Sequence, residues 1–456
     1  MPACKPRSIM LATLGVLCLV STPVIGAAST AGSGGRAAVG HPISRVIPAA
    51  AGQLLSPALA FPPDTAFCRQ RLNLSCYSPA QYRAAYDLDP LYAHGITGRG
   101  MTIAVVDSFG SPTLVNDVHV FDQQFGLPDP PSLRIIQPAG PVPPFDPADD
   151  TRLAWASETT LDVDWAHAVA PGADILVVET PVAETEGVTG LPEIVRAENY
   201  VIDHGLADVI SQSFGATENT FPSTQSLLDL RSAILNAARH RVTMIASSGD
   251  TGVTNYTVDG NLYPVPVNSW PSSDPLVTSL GGTQLHLDDA GNRTAPDNVW
   301  NDDFGAAGGG LSQVFGRPDY QDGVRSVVGN HRGTPDVSMT ADFDGGGIFY
   351  WSYNPARNGW FISGGTSMAA PMFAGIVALA GQLAHHRLGL VNPALYRLHA
   401  VHSAGLVDIT AGNISFGGVT GPSAAPGYDL ASGLGTVDAA RLVPRLALAS
   451  WWHRQP

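Results

Sequence analysis

The stretch SGGTSMAAPMFAG, residues 363–375, joins a glycine turn, a serine and the start of a long apolar run. The run has a helical period, which predicts that Ser367 stands in the first turn of a buried helix. A serine in a glycine turn is most often only a helix cap. At a helix N-terminus, however, a serine oxygen also gains from the backbone amides and the helix dipole. The stretch therefore predicts a core helix, a serine nucleophile, or both.

Upstream of this helix, short β-branched runs alternate with amphipathic helical patterns. The predicted strands are 101–107, 173–180, 207–215 and 241–250, and the predicted helices are 191–205 and 225–241. Such alternation is typical of a parallel sheet that is covered by helices on both faces. We therefore expect an α/β fold, doubly wound around a mostly parallel central sheet. Ligands of such folds bind at the carboxyl ends of the strands.

Composition narrows the class of partner. The 456-residue chain has a formal net charge of −15, from 24 basic and 39 acidic residues. An acidic surface disfavours nucleic acid and anionic membranes as partners. Hydrophobic residues make up 44% of the chain and charged residues 14%, which indicates a large buried core rather than a disordered protein.

The N-terminus has the pattern of a secretory signal peptide. Lys5 and Arg7 precede an apolar run at 9–20, and small residues follow at 26–28. The run is too short for a transmembrane anchor. The predicted segments are a signal peptide at 1–28, a linker or short pro-segment at 29–64 and the folded domain at 65–456. We expect a secreted, extracellular monomer that has no membrane contact after the signal is removed.

Two cysteines, Cys68 and Cys76, remain once the signal peptide is cut away. In an exported chain such a pair predicts a disulfide that closes a small loop. Two free thiols are the alternative.

A second candidate helix supplies carboxylates. The segment SETTLDVDWAHAVAPGA, residues 157–173, places Glu158 and Asp162 four positions apart, and therefore on one helical face. A solvated acidic face is the ordinary interpretation of such a pair. The apolar neighbours Trp155 and Trp165 favour burial instead. Buried carboxylates that lie close together are candidates for a functional site.

Four motifs then carry a resemblance to a known family. They are ETTLD (158–162), SSGDTGV (247–253), GGTSMAAP (364–371) and the pair DIT (408–410) with PGYDLASGLG (426–435). Together they resemble the sedolisin, or serine-carboxyl peptidase, family of the subtilisin-like clan, over roughly residues 77–445. The resemblance implies a subtilisin-like fold in which Ser367 is the nucleophile, Glu158 the general base and Asp162 the partner of that base. No histidine motif of the subtilisin type occurs in the sequence.

Asp250 is the fourth catalytic residue that the resemblance implies, and its role would be to donate a hydrogen bond to the oxyanion. A carboxyl group donates a hydrogen bond only when it is protonated, and a neutral acid can serve in this way. An aspartate in a turn before Gly252 is the alternative. If Asp250 must keep its proton while Glu158 can still accept one, activity is expected in acid, at about pH 3–5.

A calcium site is the one cofactor that the resemblance implies. Its oxygen ligands would come from two carboxylates and three backbone carbonyls, completed by water. These residues are Asp408, Ile409, Ala425, Gly427 and Asp429. Turn-forming aspartates in a glycine-rich loop are the alternative.

Asp107, at the end of the strand 101–107, is either an extension of the carboxylate network or a simple turn residue.

The sequence thus predicts a secreted, calcium-stabilised acid endopeptidase that acts on protein or peptide substrates. A tripeptidyl-type exopeptidase is one alternative within the same family. A catalytically silent binding protein of the same fold is another.

Overall fold

The computed structural model describes residues 61–354, 356, 358–403 and 405–452. The predicted signal peptide and residues 29–60 of the predicted linker or pro-segment lie outside these residues. The strands are β1 (Cys76–Tyr77), β2 (Thr102–Ser108), β3 (Leu133–Ile136), β4 (Asp174–Thr180), β5 (Val209–Gln212), β6 (Ala216–Thr217), β7 (Thr243–Ser247), β8 (Ser269–Trp270), β9 (Thr278–Gln284), β10 (Asn298–Val299), β11 (Gly310–Gly316), β12 (His331–Thr334), β13 (Val337–Thr340), β14 (Gly346–Trp351), β15 (Gly359–Ser363), β16 (Leu406–Val407) and β17 (Thr436–Val437). The helices are α1 (Thr65–Leu72), α2 (Pro79–Ala85), α3 (Asp89–Ala93), α4 (Leu114–Phe125), α5 (Asp150–Val169), α6 (Leu191–Asp203), α7 (Thr224–Leu228), α8 (Ser232–His240), α9 (Arg325–Val328), α10 (Thr366–Ala384), α11 (Asn392–Ala400) and α12 (Ala439–Trp452).

An eight-stranded sheet forms the centre of the fold. Its order is β10-β9-β7-β5-β2-β4-β3, and β13 also pairs with β9. Every pairing in this sheet is parallel except that of β10 with β9. The prediction of a mostly parallel central sheet is confirmed.

The two faces of the sheet carry two separate apolar cores, because successive strand residues point to opposite sides. On β2, Ile103 and Val105 pack into the core that contains α5 and α10. Ala104 and Val106 pack into the other core, with α6 and α8. Helices therefore cover both faces, as predicted. The same alternation places Asp107 on the face of α5 and α10.

Helix α10 is the central helix of the larger core. Among the described helices it alone is long and apolar enough to cross a membrane, but 89% of the apolar window is buried inside the protein. It is therefore a core helix, as the sequence predicted. It approaches α5 closely at Gly375, where an added Cβ would lie 2.7 Å from a methyl carbon of Val169.

Two helices differ most from their predicted bounds. The predicted helix 225–241 consists of α7, a 3₁₀ turn at Asp229–Arg231 and α8. Arg231 lies at that junction, and its guanidinium makes a two-point contact with Asp274, at 2.6 and 3.0 Å. Helix α5 begins earlier than predicted because the Asp149 side chain caps its first backbone amides. It ends at Val169, since Pro171 disfavours a helical conformation at the residue before it.

The predicted disulfide is confirmed. Cys68 in α1 and Cys76 in β1 are bonded across eight positions of sequence.

Candidate active site

Polar side chains collect at the carboxyl ends of the central strands, on the face of α5 and α10. Asp107 is the penultimate residue of β2 and is fully buried. Ser213 follows β5, and its hydroxyl donates a hydrogen bond to the backbone carbonyl of Ser367, at 3.2 Å. This edge of the sheet is where ligands bind in open α/β folds.

Glu158 and Asp162 lie one turn apart on α5, and both are buried, with 1% and 0% exposure. The same helical face continues at Ala166, whose backbone carbonyl lies 3.3 Å from a Cβ built on Gly375 of α10. Ala166 is eight residues beyond Glu158, and Gly375 is eight residues beyond Ser367. Ser213 connects the two helices near these residues, because its hydroxyl donates to the Ser367 carbonyl and it also hydrogen-bonds to Asp162.

The direction of the two helices follows from a second contact. Trp165 of α5 and Met368 of α10 both pack against Gly347 in β14. Val169 and Gly375, farther along each helix, also meet. The helices therefore run in the same direction, and the carboxylate face of α5 points toward the first turn of α10.

Asp107, Glu158 and Asp162 form one group of buried acids, called the carboxyl array below. Burial raises the pKa of Asp162 well above its ordinary value, and the negative charges of Asp107 and Glu158 raise it further. A hydrogen bond with Ser213 works in the opposite direction. Such a group shares its protons and titrates as a unit.

Ser367 is the second residue of α10 and is fully buried. Among the described residues its hydroxyl has no hydrogen-bond partner. The preceding Gly365 has φ +88°, a conformation that L side chains rarely adopt, and a Cβ there would also overlap the Asp250 carboxyl. Glycine is thus required for the turn that presents the serine.

Asp250 holds the turn before Ser367 through one of its two carboxyl oxygens. Oδ1 accepts hydrogen bonds from the backbone amide of Thr366, at 2.8 Å, and from its hydroxyl, at 2.7 Å. Oδ2 lies against Gly365 and has no hydrogen-bond partner among the described residues. Burial raises the pKa of Asp250 to about 7, although the Thr366 bonds oppose this. In acid the carboxyl is neutral, and the free Oδ2 is the oxygen that can carry the proton.

Comparison with known proteins shows the family to which the chain belongs. The sequence model of the subtilase family matches residues 154–429, which include all four of the predicted catalytic residues. The chain belongs to the subtilase family.

Curated relatives place this subtilase among the sedolisins. Kumamolisin from Bacillus sp. (strain MN-32) is 31% identical over 395 residues, which cover 84% of this chain and 65% of kumamolisin. Sedolisin from Pseudomonas sp. (strain 101) is 28% identical, with 80% of this chain and 60% of sedolisin covered. Tripeptidyl-peptidase 1 from Bos taurus is 28% identical, with coverage of 61% and 50%. The chain thus spans between half and two thirds of the length of these relatives.

A solved structure shows the same fold. Pseudomonas sedolisin, complexed with two molecules of pseudo-iodotyrostatin, superposes with a TM-score of 0.71 at 26% identity. The superposition covers 83% of this chain and 99% of that structure. The subtilase is therefore a sedolisin-type, subtilisin-like α/β protein, as its sequence motifs implied.

A pair of acids beside Asp250 was missed by the sequence analysis. Asp342 follows β13, and burial raises its pKa to about 9, with a further contribution from the charge of Asp302 and a hydrogen bond to it. The charge of Asp302 also raises the pKa of Asp250. The loop of Asp302 reaches Asp250 through Ala306, whose amide donates to the Asp250 carbonyl at 3.1 Å. No local sequence signal marked them, because Asp302 and Asp342 lie forty positions apart in the chain.

Four of the five residues of the implied calcium site are in contact as two pairs in the C-terminal loops. Asp408 accepts a hydrogen bond from the amide of Gly427 at 2.9 Å, and Asp429 accepts one from Ala425 at 2.8 Å. Two carboxylates and nearby backbone carbonyls are the hard oxygen ligands that calcium prefers, so the residues fit the ion. Within the described ranges no group of three or more His, Cys, Asp or Glu side chains could hold a metal.

We expect the subtilase to be more stable in acid than at neutral pH. Burial raises the pKa of many acids in this protein, among them Asp107 and Asp250 to about 7, Glu198 to about 8 and Asp342 to about 9. A carboxyl whose pKa is higher in the folded than in the unfolded state stabilises the fold below its unfolded value, about 4. That stabilisation is lost as pH rises through about 7 to 9.

Thermal unfolding measured from pH 4 to pH 9 checks this expectation. The midpoint should fall steadily with pH. Glu198→Gln should reduce the fall, because Glu198 accepts a hydrogen bond from Gln212 and lies on α6, on the opposite face of the sheet from α10. A midpoint that is constant or rises with pH would contradict it.

Proposed function

We propose that this subtilase is a serine-carboxyl peptidase that hydrolyses peptide bonds in acid through an acyl-enzyme on Ser367. The observation that carries the proposal is the Asp250 carboxyl. One of its oxygens is fixed by Thr366, and the other faces the turn that presents the serine. A neutral acid in this position is a preorganised donor to a developing oxyanion.

The proposed reaction uses the carboxyl array as its base. Glu158 accepts the proton of the Ser367 hydroxyl while Oγ attacks the carbonyl carbon of the scissile peptide bond. The resulting oxyanion accepts hydrogen bonds from Asp250 Oδ2–H and from the backbone amide of Ser367. Glu158 then passes the proton to the leaving amine, and the C–N bond breaks. A water molecule repeats these steps on the ester, with Glu158 again as the base, and releases the acid.

Asp162 orients Glu158 in this proposal and shares a proton with it. Its raised pKa keeps it protonated in acid, so that it can donate a hydrogen bond to the Glu158 carboxylate. The working range is expected at about pH 3–5, where Asp250 is neutral and Glu158 can still accept a proton.

Rates of hydrolysis of a denatured protein, measured across the pH range, test the proposal. The products distinguish it from the alternative functions. Internal fragments from the start of the digest support an endopeptidase. Release of N-terminal tripeptides alone would support the tripeptidyl type, the activity named for several of the relatives. No hydrolysis at any pH, together with no adduct of a peptide aldehyde on Ser367, would leave a binding protein of the same fold.

We also propose that one calcium ion stabilises the C-terminal loops. The ligands would be the carboxylates of Asp408 and Asp429 and the carbonyls of Ile409, Ala425 and Gly427, with water completing the shell. Calcium at about one hundred times its dissociation constant is expected to raise the unfolding midpoint by about 5 °C. Differential scanning calorimetry at pH 6, with and without calcium, measures this rise.

Asp408→Asn is the matched variant, because it keeps the shape of the side chain and the acceptor for Gly427 but removes one charge. Its response to calcium should be much smaller. An equal response of the wild type and this variant would place any ion elsewhere.

The proposal includes secretion and a monomeric state. The Cys68–Cys76 disulfide supports an oxidising compartment. Protein and peptide chains are the proposed substrates.

A further inference from the structure

Three adjacent strands carry, within one residue of their carboxyl ends, polar residues that the proposed reaction does not fully use. Asp107 of β2 and Glu179 of β4 are direct partners in the parallel register. Gln137 follows β3, whose Ile136 is the partner of Val178 in β4. Neighbouring strands lie about 4.8 Å apart, so these three side chains form a row across the end of the sheet.

This row lies on the face of the sheet that carries the catalytic helices. Ile175 and Val177 of β4 pack into the same core as α5 and α10. Glu179 continues that alternation, as Asp107 does on β2. Its carboxyl therefore lies on the same side of the sheet as the carboxyl array.

Glu179 is held firmly in this position. The amide of Gln137 donates a hydrogen bond to Glu179 Oε2 at 2.7 Å, and Glu179 is only 4% exposed. The other carboxyl oxygen packs against Gly110, where any Cβ would overlap it. Gly110 has φ +70° in the loop that follows β2. The loop after Asp107 is thus shaped to admit the Glu179 carboxyl.

We propose that Glu179 is a positioning residue that adds a fourth carboxyl to the array and, through Asp107, keeps a proton in the array as the pH rises. This inference rests on the proposed function and deepens it. The physical reason is the repulsion between adjacent negative charges. Once Glu179 is ionised, ionisation of its strand partner Asp107 becomes more costly.

Electrostatics agree with the geometry. Burial raises the pKa of Asp107 to about 7, the Thr159 hydroxyl lowers it, and the charge of Glu179 raises it. Burial also raises the pKa of Glu179, while the Gln137 hydrogen bond lowers it. The groups that act on the row are therefore Asp107 from β2, Thr159 from α5, Glu179 from β4 and Gln137 after β3. Asp107 connects the row to the pair on α5, because the charges of Asp107 and Glu158 both raise the pKa of Asp162.

The consequence is a wider working range. If Asp107 lost its proton early, its charge would add to that of the pair on α5, and Glu158 would hold a proton instead of accepting one from Ser367. Repulsion from Glu179 delays this loss to higher pH. Below the ordinary pKa of a glutamate, where Glu179 is neutral, it has no such effect.

The test is the pH dependence of kcat/KM on a peptide substrate for the full chain and three variants. Glu179→Gln should move the alkaline limb of the profile to lower pH by about half to one unit, and leave the acid limb in place. Gln137→Met changes an exposed residue and lets Glu179 keep its proton longer, so the alkaline limb should move in the same direction by less. Glu198→Gln is the control, since it removes another buried glutamate that is bonded to a glutamine, and it should move neither limb.

Each outcome decides something different. A wild type without hydrolysis at any pH would overturn the proposed function. An active wild type whose alkaline limb is unchanged in both Glu179→Gln and Gln137→Met would overturn the role of Glu179 alone. Equal shifts for Glu179→Gln and Glu198→Gln would also overturn it, because they would show a general effect of removing a buried charge. If Glu179→Gln does not fold, Gln137→Met decides.

Discussion

Ser367→Ala is expected to lower kcat by about a millionfold, to the level that binding and the oxyanion donors maintain without a nucleophile. Ser367 is the second residue of the central helix and is fully buried, and its hydroxyl has no hydrogen-bond partner among the described residues. Alanine therefore removes the proposed reacting atom without breaking a structural bond. The fold and the unfolding midpoint should change little. Single-turnover rates at pH 4, together with calorimetry, measure both effects.

Ser363→Ala provides a matched control for this substitution. Ser363 is also fully buried, and its hydroxyl likewise has no hydrogen-bond partner in the described part of the chain. It lies four residues upstream, in β15, and has no proposed part in the chemistry. We expect Ser363→Ala to retain activity within a few-fold. Comparable losses in the two variants would mean that the segment matters for packing, and that the nucleophile lies elsewhere.

Asp250→Ala is expected to lower kcat by about 100- to 1000-fold, the usual effect of removing one oxyanion donor. It also removes the acceptor of two hydrogen bonds from Thr366, so part of the loss comes from a loosened turn. Asp250→Asn separates the two causes. Its carbonyl oxygen can replace Oδ1 toward Thr366, and its amide can donate from the position of Oδ2 at any pH.

The pH profile of Asp250→Asn therefore carries the sharper prediction. In the wild type the donor is lost as Asp250 ionises near pH 7, the value to which burial raises its pKa. The asparagine does not titrate, so the ratio of kcat/KM at pH 7 to that at pH 4 should rise above the wild-type ratio. An unchanged ratio would show that ionisation of Asp250 does not limit the reaction on the alkaline side.

Much of the site could be predicted because its signals are local. The four-residue spacing of Glu158 and Asp162, with tryptophans on either side, predicts a buried carboxylate face on a helix, and both residues are buried in α5. The apolar run after Ser367 predicts a core helix, and α10 is one. In each case the pattern that allows the prediction lies within one short segment of the sequence.

Glu179 and Asp342 could not be found in this way. Glu179 lies inside the predicted strand 173–180, where periodicity alone makes it one more strand residue. Its significance depends on β4 lying beside β2 with Asp107 as its partner, a pairing between distant segments. Asp342 meets Asp302 across forty positions of sequence. Strand order and loop contacts of this range leave no trace in the local pattern of residues.

The contact between Gly375 and Val169 has a consequence for how this molecule could change over time. The spacing between Ser367 and its proposed base depends on this helix crossing, eight residues beyond Ser367 and eleven beyond Glu158, where Gly375 has no side chain and lets Val169 approach closely. A methyl group added at Gly375 would overlap Val169 and push the two helices apart, while the central sheet would keep its structure. Substitution at this crossing could therefore change the rate of catalysis during evolution without altering any residue that contacts the substrate.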